Sequence, residues 1–410
     1  MYRAQSMVLV IVLFFGISFS QIIEKNLQLD RLINIALTHN PDINARKNIV
    51  ISKTKDILPA GSLPDPMVTG GYFISPVVTK EGPQEWRLGI TQNFPWAGKL
   101  SGKEKIAGLQ LSQEQEQLRR TTLSVMRDVR SIYEQLKLLA SAEAVTRENL
   151  EILSQLESVV RLKYTTATAS QSYLLKIQME MIKLEDDLTS IQNKRPVLME
   201  KLTLALGIAV SADLLLFIDL LNFEKELSAV DSSGFTHNPQ LKIANIGVDE
   251  NLEKVHLAKL ASRPNFAAGM DYIALRDGTG DNPLMIRGGI SVPIWFKKNK
   301  ALREASEAML DGARFRVDDI TLSLTSRFEQ IQFDLEDSHR KYQLYTRDLL
   351  PLAEQNYTVA KSAYLSDDID FETYLNAEEN LLTIKLMCAT LRARYYTARA
   401  EYLNLTAQEF

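Results

Sequence analysis

The chain has 410 residues, with 47 Lys and Arg against 51 Asp and Glu, and a formal net charge of −4. A balance this even does not point to nucleic acid, whose binding needs a concentrated basic face. The single cysteine, Cys388, excludes an intramolecular disulfide framework, and the length suits either two or three ordinary domains or one repeat-built molecule.

Residues 1–20 read as a signal peptide. Arg3 supplies the positive charge, Met7 to Phe19 is an apolar core, and Ser18-Phe19-Ser20 places small residues where a signal peptidase reads them, so cleavage falls before Gln21. The apolar run is too short for an ordinary membrane span. No Cys stands near the cleavage site for lipid attachment, and export without disulfides fits a bacterial envelope.

Leu29 to Ile57 has helical periodicity, interrupted by Thr38-His39-Asn40-Pro41. Asn followed by Pro is a helix cap followed by a first helical residue, so a helix restarts there. From Pro59 to Gly98 the apolar period changes to two. Val68, Gly70, Tyr72 and Ile74 alternate with Met67, Thr69, Gly71 and Phe73, and after Gly82-Pro83, Leu88, Ile90 and Phe94 alternate with Arg87, Gly89, Thr91 and Asn93. This predicts a hairpin over about 64–95 with one apolar and one polar face.

A heptad helix follows. Leu111, Leu118, Val125, Ile132, Leu139, Thr146, Leu153 and Val160 recur every seventh position, with a second row containing Val129, Leu136, Leu150 and Tyr164. Strict sevens imply a left-handed supercoil with partner helices. From about Gly98 to Tyr164 such a helix is roughly 100 Å long. The break over Thr165 to Ser170 leads into a return helix ending at Leu206-Gly207, in which Pro196 predicts a kink. Residues 208–232 read as a linker or equatorial segment.

The pattern then recurs. Thr236-His237-Asn238-Pro239 repeats the earlier four residues. A second hairpin is predicted over about 263–295, where Phe266, Ala268, Met270 and Tyr272 alternate with Ala267, Gly269 and Asp271, and Ile286, Ile290, Val292 and Ile294 alternate with Arg287, Gly289 and Ser291. Leu310, Val317, Leu324, Ile331, Ser338, Tyr345, Leu352 and Val359 repeat the first heptad row 199 residues on, with Phe328, Leu335, Tyr342 and Leu349 as the second row. Pro351 predicts a bend or a local loosening. A second break over Leu365 to Asp370 precedes a return helix towards Gln408. The chain thus divides into a first repeat over 21–207, the segment 208–232 and a second repeat over 233–410.

Strands of about ten residues match the length of tilted membrane-spanning strands. Trp86, Trp96 and Trp295 lie at the predicted strand ends, where a membrane interface favours aromatic rings. On this reading Val68, Tyr72, Leu88, Ile90, Phe266, Met270, Ile290 and Val292 face lipid. Four strands leave unpaired edges that hydrocarbon does not tolerate, so copies of the chain must close the sheet together.

In order and content these residues resemble the outer-membrane efflux proteins, the TolC-like channels, over nearly the whole mature chain. The resemblance rests on Asn40-Pro41 and Asn238-Pro239, on Gln92-Asn93-Phe94-Pro95-Trp96-Ala97-Gly98-Lys99, on Tyr164 and Tyr364 ahead of the breaks, on Leu202-Thr203-Leu204-Ala205-Leu206-Gly207, and on the duplication. It implies a mainly α fold with a small β part: helical hairpins forming a periplasmic α-barrel, and four strands per copy in a trimeric twelve-stranded outer-membrane barrel. It implies a homotrimer joined through a periplasmic adaptor to an inner-membrane pump, conducting substrate passively. The Pro-Trp-x-Gly-Lys segment is closer to the metal-efflux branch than to the multidrug branch. A type I protein-secretion outlet and a pore-free coiled-coil scaffold are the alternatives. The chain departs from the family where Ala167 and Asp367 replace Gly, where Tyr173 and Thr373 replace Asp, and at Asn376.

The resemblance places adaptor contacts at Thr165, Thr166, Ala167, Ser170, Leu365 and Ser366, and a periplasmic aperture at Tyr364, Asp367, Asp368 and Asp370. Under three-fold symmetry these three acids form rings that attract cations, although Asp370 fits a helix cap equally well. No catalytic site, cofactor or metal is expected. His39, His237, His256 and His339 have no i+3 or i+4 His partner, and Asp186-Asp187 and Asp318-Asp319 read as solvated helix surface.

Overall fold

The computed structural model describes residues 29–166, 170–209, 234–276 and 281–408. The proposed signal peptide and nearly all of 208–232 lie outside them. The chain forms two compact units. One comprises the chain up to Asn44 with Thr121–Asn238 and Leu324–Phe410, and the other comprises Ala45–Arg120 with Pro239–Ser323.

In chain order the elements are α1 (29–39), α2 (Pro41–Gly61), β1 (Met67–Tyr72), β2 (Val78–Thr79), β3 (Gly82–Phe94), α3 (Lys99–Thr165), α4 (Gln171–Leu206), a 3-10 turn (Phe235–His237), α5 (Pro239–Leu260), β4 (Asn265–Leu275), β5 (Leu284–Ser291), α6 (Phe296–Gln343), a π turn (Leu344–Leu349), α7 (Leu350–Leu365) and α8 (Phe371–Thr406). The order helix, strands, long helix, return helix therefore occurs twice. α4 runs through Pro196 as a single 36-residue helix.

In the unit that holds the strands, one antiparallel sheet has the order β1-β3-β4-β5, and β2 pairs only with the start of β3. The two predicted hairpins join through their long inner strands β3 and β4, of 13 and 11 residues, while β1 and β5 have 6 and 8. Equal strands of ten are therefore not what forms. The inner strands have partners on both sides, and the outer pair ends earlier. The register carries the alternation across the sheet: Val68 opposes Ile90, Ile90 opposes Met270 and Met270 opposes Ile286, while Tyr72, Trp86, Leu88, Tyr272 and Leu284 line the same face. Directly opposed residues share a face, so one face is almost wholly apolar and the other carries Thr69, Arg87, Thr91, Asp271 and Arg287.

The same unit shows what the Pro-Trp-Ala-Gly-Lys segment does. Gly98 turns the chain with φ +90, a conformation open to glycine. The Trp96 amide donates to Asn265 Oδ1 at 3.1 Å, and Lys99 Nζ donates to the Arg263 carbonyl at 2.9 Å and to Asn265 Oδ1 at 2.8 Å. The exit from β3 is thus fastened to the start of β4. Further along, Gly102 lets α3 approach α5, since a Cβ there would stand 2.6 Å from Leu257.

In the helical unit, Leu153, Leu156 and Val160 of α3, Ile177 and Leu184 of α4, Ala360 and Tyr364 of α7, and Phe371, Tyr374, Leu375 and Ala377 of α8 form one core. Most of the first copy's heptad row behaves as the sequence predicts: Val125, Ile132, Thr146, Leu153 and Val160 are buried, while Leu139 is half-buried. The copy of this row in the second half does not keep its register. Leu324, Ile331 and Ser338 are buried, but Leu352 and Val359 are about 60 % exposed, and Ala353 and Ala360 are buried instead. The π turn supplies the reason. The Leu350 amide donates five residues back to Tyr345, and a π turn holds one more residue than an α turn. Pro351 has no amide to donate, so the ladder is interrupted where the extra residue enters. The buried seam moves on by one position, and Tyr357 and Tyr364 take the places that uninterrupted sevens assign to Asn356 and Ala363.

Candidate functional site

The two helix breaks belong to the helical unit. At the first, α3 closes with the Thr165 hydroxyl on the Leu162 carbonyl at 2.7 Å, and the Thr166 amide on the same carbonyl at 3.2 Å. Ala167 lies outside the described residues. Ser170 caps α4, accepting from the Ser172 amide at 3.2 Å. Thr165, Thr166 and Ser170 are all exposed. Among the described residues this break holds no acid.

At the second break each acid has a different task. Asp367 adopts φ +60, where its Oδ1 pairs with Lys163 of α3. Asp tolerates this left-handed conformation better than most residues, which accounts for an Asp at a position that the family gives to Gly. The Asp368 amide donates to the Ala363 carbonyl at 2.8 Å, ending α7 in the manner of a Schellman turn, and its carboxylate accepts from the Ser366 hydroxyl at 2.8 Å. Asp370 is the N-cap of α8, accepting from the Thr373 amide at 2.8 Å. Its hydrogen bonds with Thr373 hold its carboxyl below the usual range. Of the three acids expected to set one field, one is ion-paired, one caps a helix, and Asp368 is bonded only to a neutral hydroxyl and its own turn. Leu365 and Ser366 are exposed beside them.

Tyr364 is buried, unlike its counterpart Tyr164, which is 43 % exposed. Its ring stacks on Tyr374 at 5.4 Å and meets Phe371 edge-on at 6.1 Å. Tyr173, standing where the family has Asp, stacks on Phe371 at 4.9 Å. Burial pushes the Tyr364 and Tyr374 phenols up. Lys163 Nζ lies 4.6 Å from the centre of the Tyr364 ring, so one ammonium holds both the aromatic ring and the Asp367 carboxylate. Sequence reasoning missed Lys163, because no local pattern links it to a break about 200 residues away. It also missed Glu378, which is 2 % exposed and pushed up to about 8, first by burial and then by Glu379 and Glu180. Its signal was present: Phe371, Tyr374, Glu378 and Leu381 follow helical spacing, with an acid on an apolar stripe.

The repeated Asn-Pro pairs close the far ends of the return helices. Asn40 Oδ1 accepts from the Asp42 and Ile43 amides at 3.0 and 3.1 Å, capping α2, while its Nδ2 donates to the Ala205 carbonyl at 2.8 Å. Asn238 Nδ2 donates to the Leu405 carbonyl at 2.8 Å in the second half. Each side chain therefore satisfies a carbonyl that a helix C-terminus leaves without a partner. Gly207 ends α4 against the same turn at φ +75, where a Cβ would stand 2.6 Å from the His39 carbonyl.

The tryptophans belong to the strand-bearing unit. Trp86 lies inside β3 rather than at its end, at the residue where pairing with β1 stops and beside the irregularity between Gln84 and Trp86. It contacts Tyr272 at 5.6 Å. Trp96 follows β3 and stacks on Phe266 at 5.8 Å. Trp295 follows β5 and is 71 % exposed.

Among the described residues no helix is long and apolar enough to cross a membrane, and no group of three or more His, Cys, Asp or Glu could hold a metal ion. No family model and no curated protein matches the sequence. Solved structures do match. The outer membrane protein VceC from Vibrio cholerae superposes with a TM-score of 0.76 at 16 % identity over 92 % of this chain and 96 % of that one. The outer-membrane channel OprN gives 0.79 at 15 % over 93 % and 90 %, and the MtrE outer membrane channel of Neisseria gonorrhoeae, in its open state, gives 0.72 at 15 % over 93 % and 91 %. Identities this low carry architecture alone, and over nearly its full length this chain has the fold of the TolC-like outer-membrane channels.

Proposed function

We propose that three copies of this chain form a passive exit duct across the bacterial outer membrane, serving a tripartite efflux system. The carrying observation is the sheet. Its apolar face is turned outward from the unit rather than into a core: Ile286 is 84 % exposed, and Val68, Leu88, Ile90, Met270 and Ile290 are exposed with it. Only an apolar medium favours such a face. β1 and β5 each pair on one side among the described residues. The four strands alternate in direction, so β5 of one copy meets β1 of the next antiparallel, and three copies give an even-stranded closed barrel. Closure supplies partners for edge groups that hydrocarbon leaves unsatisfied.

The helix breaks then serve as the end that receives substrate. Thr165, Thr166, Ala167, Ser170, Leu365 and Ser366 offer small polar contacts to a periplasmic adaptor. Among the described residues Asp368 neither pairs with a cation nor caps a helix, and three copies place three such charges around one aperture. No step of this function makes or breaks a covalent bond.

The test is purification in detergent, followed by cross-linking and by current measurement in planar bilayers. Cross-linked trimers and steady conductance are expected. A protein that stays monomeric while its helices are folded and protected from exchange overturns the closure, and absence of current overturns the duct. Replacing Asp367 and Asp368 by Asn should weaken cation preference. Unchanged selectivity with lowered thermal stability assigns both to structure.

A further inference from the structure

The polar face of the sheet contains a built cluster. Asp271 of β4 is completely buried, although it lies on the face opposite the apolar one. Arg287 of β5 covers it: Nε stands 2.8 Å from Oδ2, and Nη2 donates to Oδ1 at 3.2 Å. The same Nη2 donates to Thr91 Oγ1 of β3 at 3.0 Å. Two glycines make the room. A Cβ on Gly89 would overlap the Asp271 carboxylate and stand 2.9 Å from Thr69 Oγ1, and one on Gly269 would stand 2.9 Å from Thr91 Oγ1. Three strands therefore cooperate to hold one guanidinium, whose side chain keeps 42 % of its exposure. One hydrogen bond to Oδ1, a close ionic contact to Oδ2 and the bond to Thr91 together orient the guanidinium as no single contact does.

The charges on this face do not cancel. Within the strands it carries Glu85, Arg87, Asp271 and Arg287; Glu85 stands 3.9 Å from Arg276 just past β4, which offsets it, and Arg87 has no carboxylate partner among the described residues. It lies between Gly71 and Ile273 on the neighbouring strands. Arg287 opposes Gly269, so the two cations are four residues apart along the strand direction, about 13 Å. The opposite face bears no ionic group between Trp86 and Phe94 or along β4 and β5.

We propose that Arg87 and Arg287 form two cationic rungs on the inner wall of the membrane barrel, and that they make this part of the duct select for anionic solutes, carboxylates and phosphates among them. This rests on the duct reading, which turns the polar face to the lumen. Asp271 is a positioning residue: it spends its charge on Arg287 and fixes the guanidinium while leaving each copy with one excess positive charge. In a narrow low-dielectric passage, fixed charge of one sign raises the local concentration of the other. The rungs oppose in sign the acid assigned to the aperture.

The experiment is reversal potential under a potassium chloride gradient in planar bilayers, with inorganic tripolyphosphate added as a blocking anion. Arg87→Gln breaks no bond within the chain and should assemble normally. With Arg287→Gln it should lower the chloride-to-potassium permeability ratio about threefold and weaken tripolyphosphate block about tenfold, as expected for removing fixed charge from a pore wall. Asp271→Asn should move the ratio the opposite way. If the double variant fails to assemble, Arg87→Gln alone decides, with a smaller shift of the same sign expected. Trimers that conduct, yet keep the wild-type potential and block in Arg87→Gln and Asp271→Asn alike, overturn the rungs and leave the duct intact. A wild-type protein that passes no current overturns the duct and the rungs with it.

Discussion

The two units invert each other's rule of burial. In the helical unit the apolar side chains are inside: Phe371 and Leu375 are at most 1 % exposed, in a core shared by four helices. In the sheet the apolar residues are outside, and the most deeply buried side chain on the polar face is the carboxylate of Asp271. Water alone accounts for the first arrangement. The second is stable only where one face meets a solvent that does not compete for hydrogen bonds, and where the polar face supplies its own partners. On the proposed function, the difference reflects two media, water for the helical unit and hydrocarbon for one face of the sheet.

Truncation of the helical core should have the largest effect. Phe371→Ala removes a ring stacked on Tyr173 and in contact with Tyr364, and should cost about 3–5 kcal/mol, as large-to-small core changes do. Thermal unfolding of the helical signal measures it. Loss of less than about 1 kcal/mol would mean that this region is loosely packed.

The sheet should respond to the opposite chemistry. Ile90→Arg places a charge on the apolar face and should cost about 2–4 kcal/mol of barrel stability, while Arg87→Ala on the other face should cost little. Yield of folded protein in outer-membrane fractions compares them. If Ile90→Arg is tolerated and Arg87→Ala is not, the faces are exchanged, and the contrast between the units disappears.

The smallest effect sharpens the helical side, where Glu378 is the exception to apolar burial. Its Oε1 has no hydrogen-bond partner among the described residues, and Glu378 lines a small cleft with Val145, Asn149, Ile152, Tyr357, Leu381 and Leu382 together with Glu148 and Lys385. Glu180 and Glu379 add like charge. The carboxyl is raised from 4.5 to about 8, so the folded chain holds a proton that the unfolded chain releases above 4.5. Stability is therefore fully present below that pH and is lost as pH rises through about 8. Glu378→Gln removes this dependence. It should match the wild type near pH 4 and exceed it by about 1–3 kcal/mol near pH 9. Melting temperatures of both proteins at the two pH values check the sign, and equal values at pH 9 would show that the site is hydrated.

Much of this protein is legible in one dimension, for a definite reason. Heptads, period-two strands and Asn-Pro caps are local or strictly periodic, and both units are built from them. Thus the long helices, the strand faces and the restart at Pro41 follow from residue order, as does the resemblance carried by Phe94 to Lys99. What the sequence left open depends on residues far apart in it. Pro351 announces a disturbance, but only the packed helix shows a π turn that moves the seam from Leu352 and Val359 to Ala353 and Ala360. Acidic residues crowd the second break, but Lys163, about 200 positions earlier, decides which of them is neutralised, and Thr373 which of them is a cap. Asp271 and Arg287 read as ordinary polar positions on alternating strands, and it takes Gly89 and Thr91 on a third strand to turn them into one cluster. Periodicity reports which side of an element is apolar. Which charge meets which is set by register and by the approach of distant segments, and that information appears only when the chain is folded.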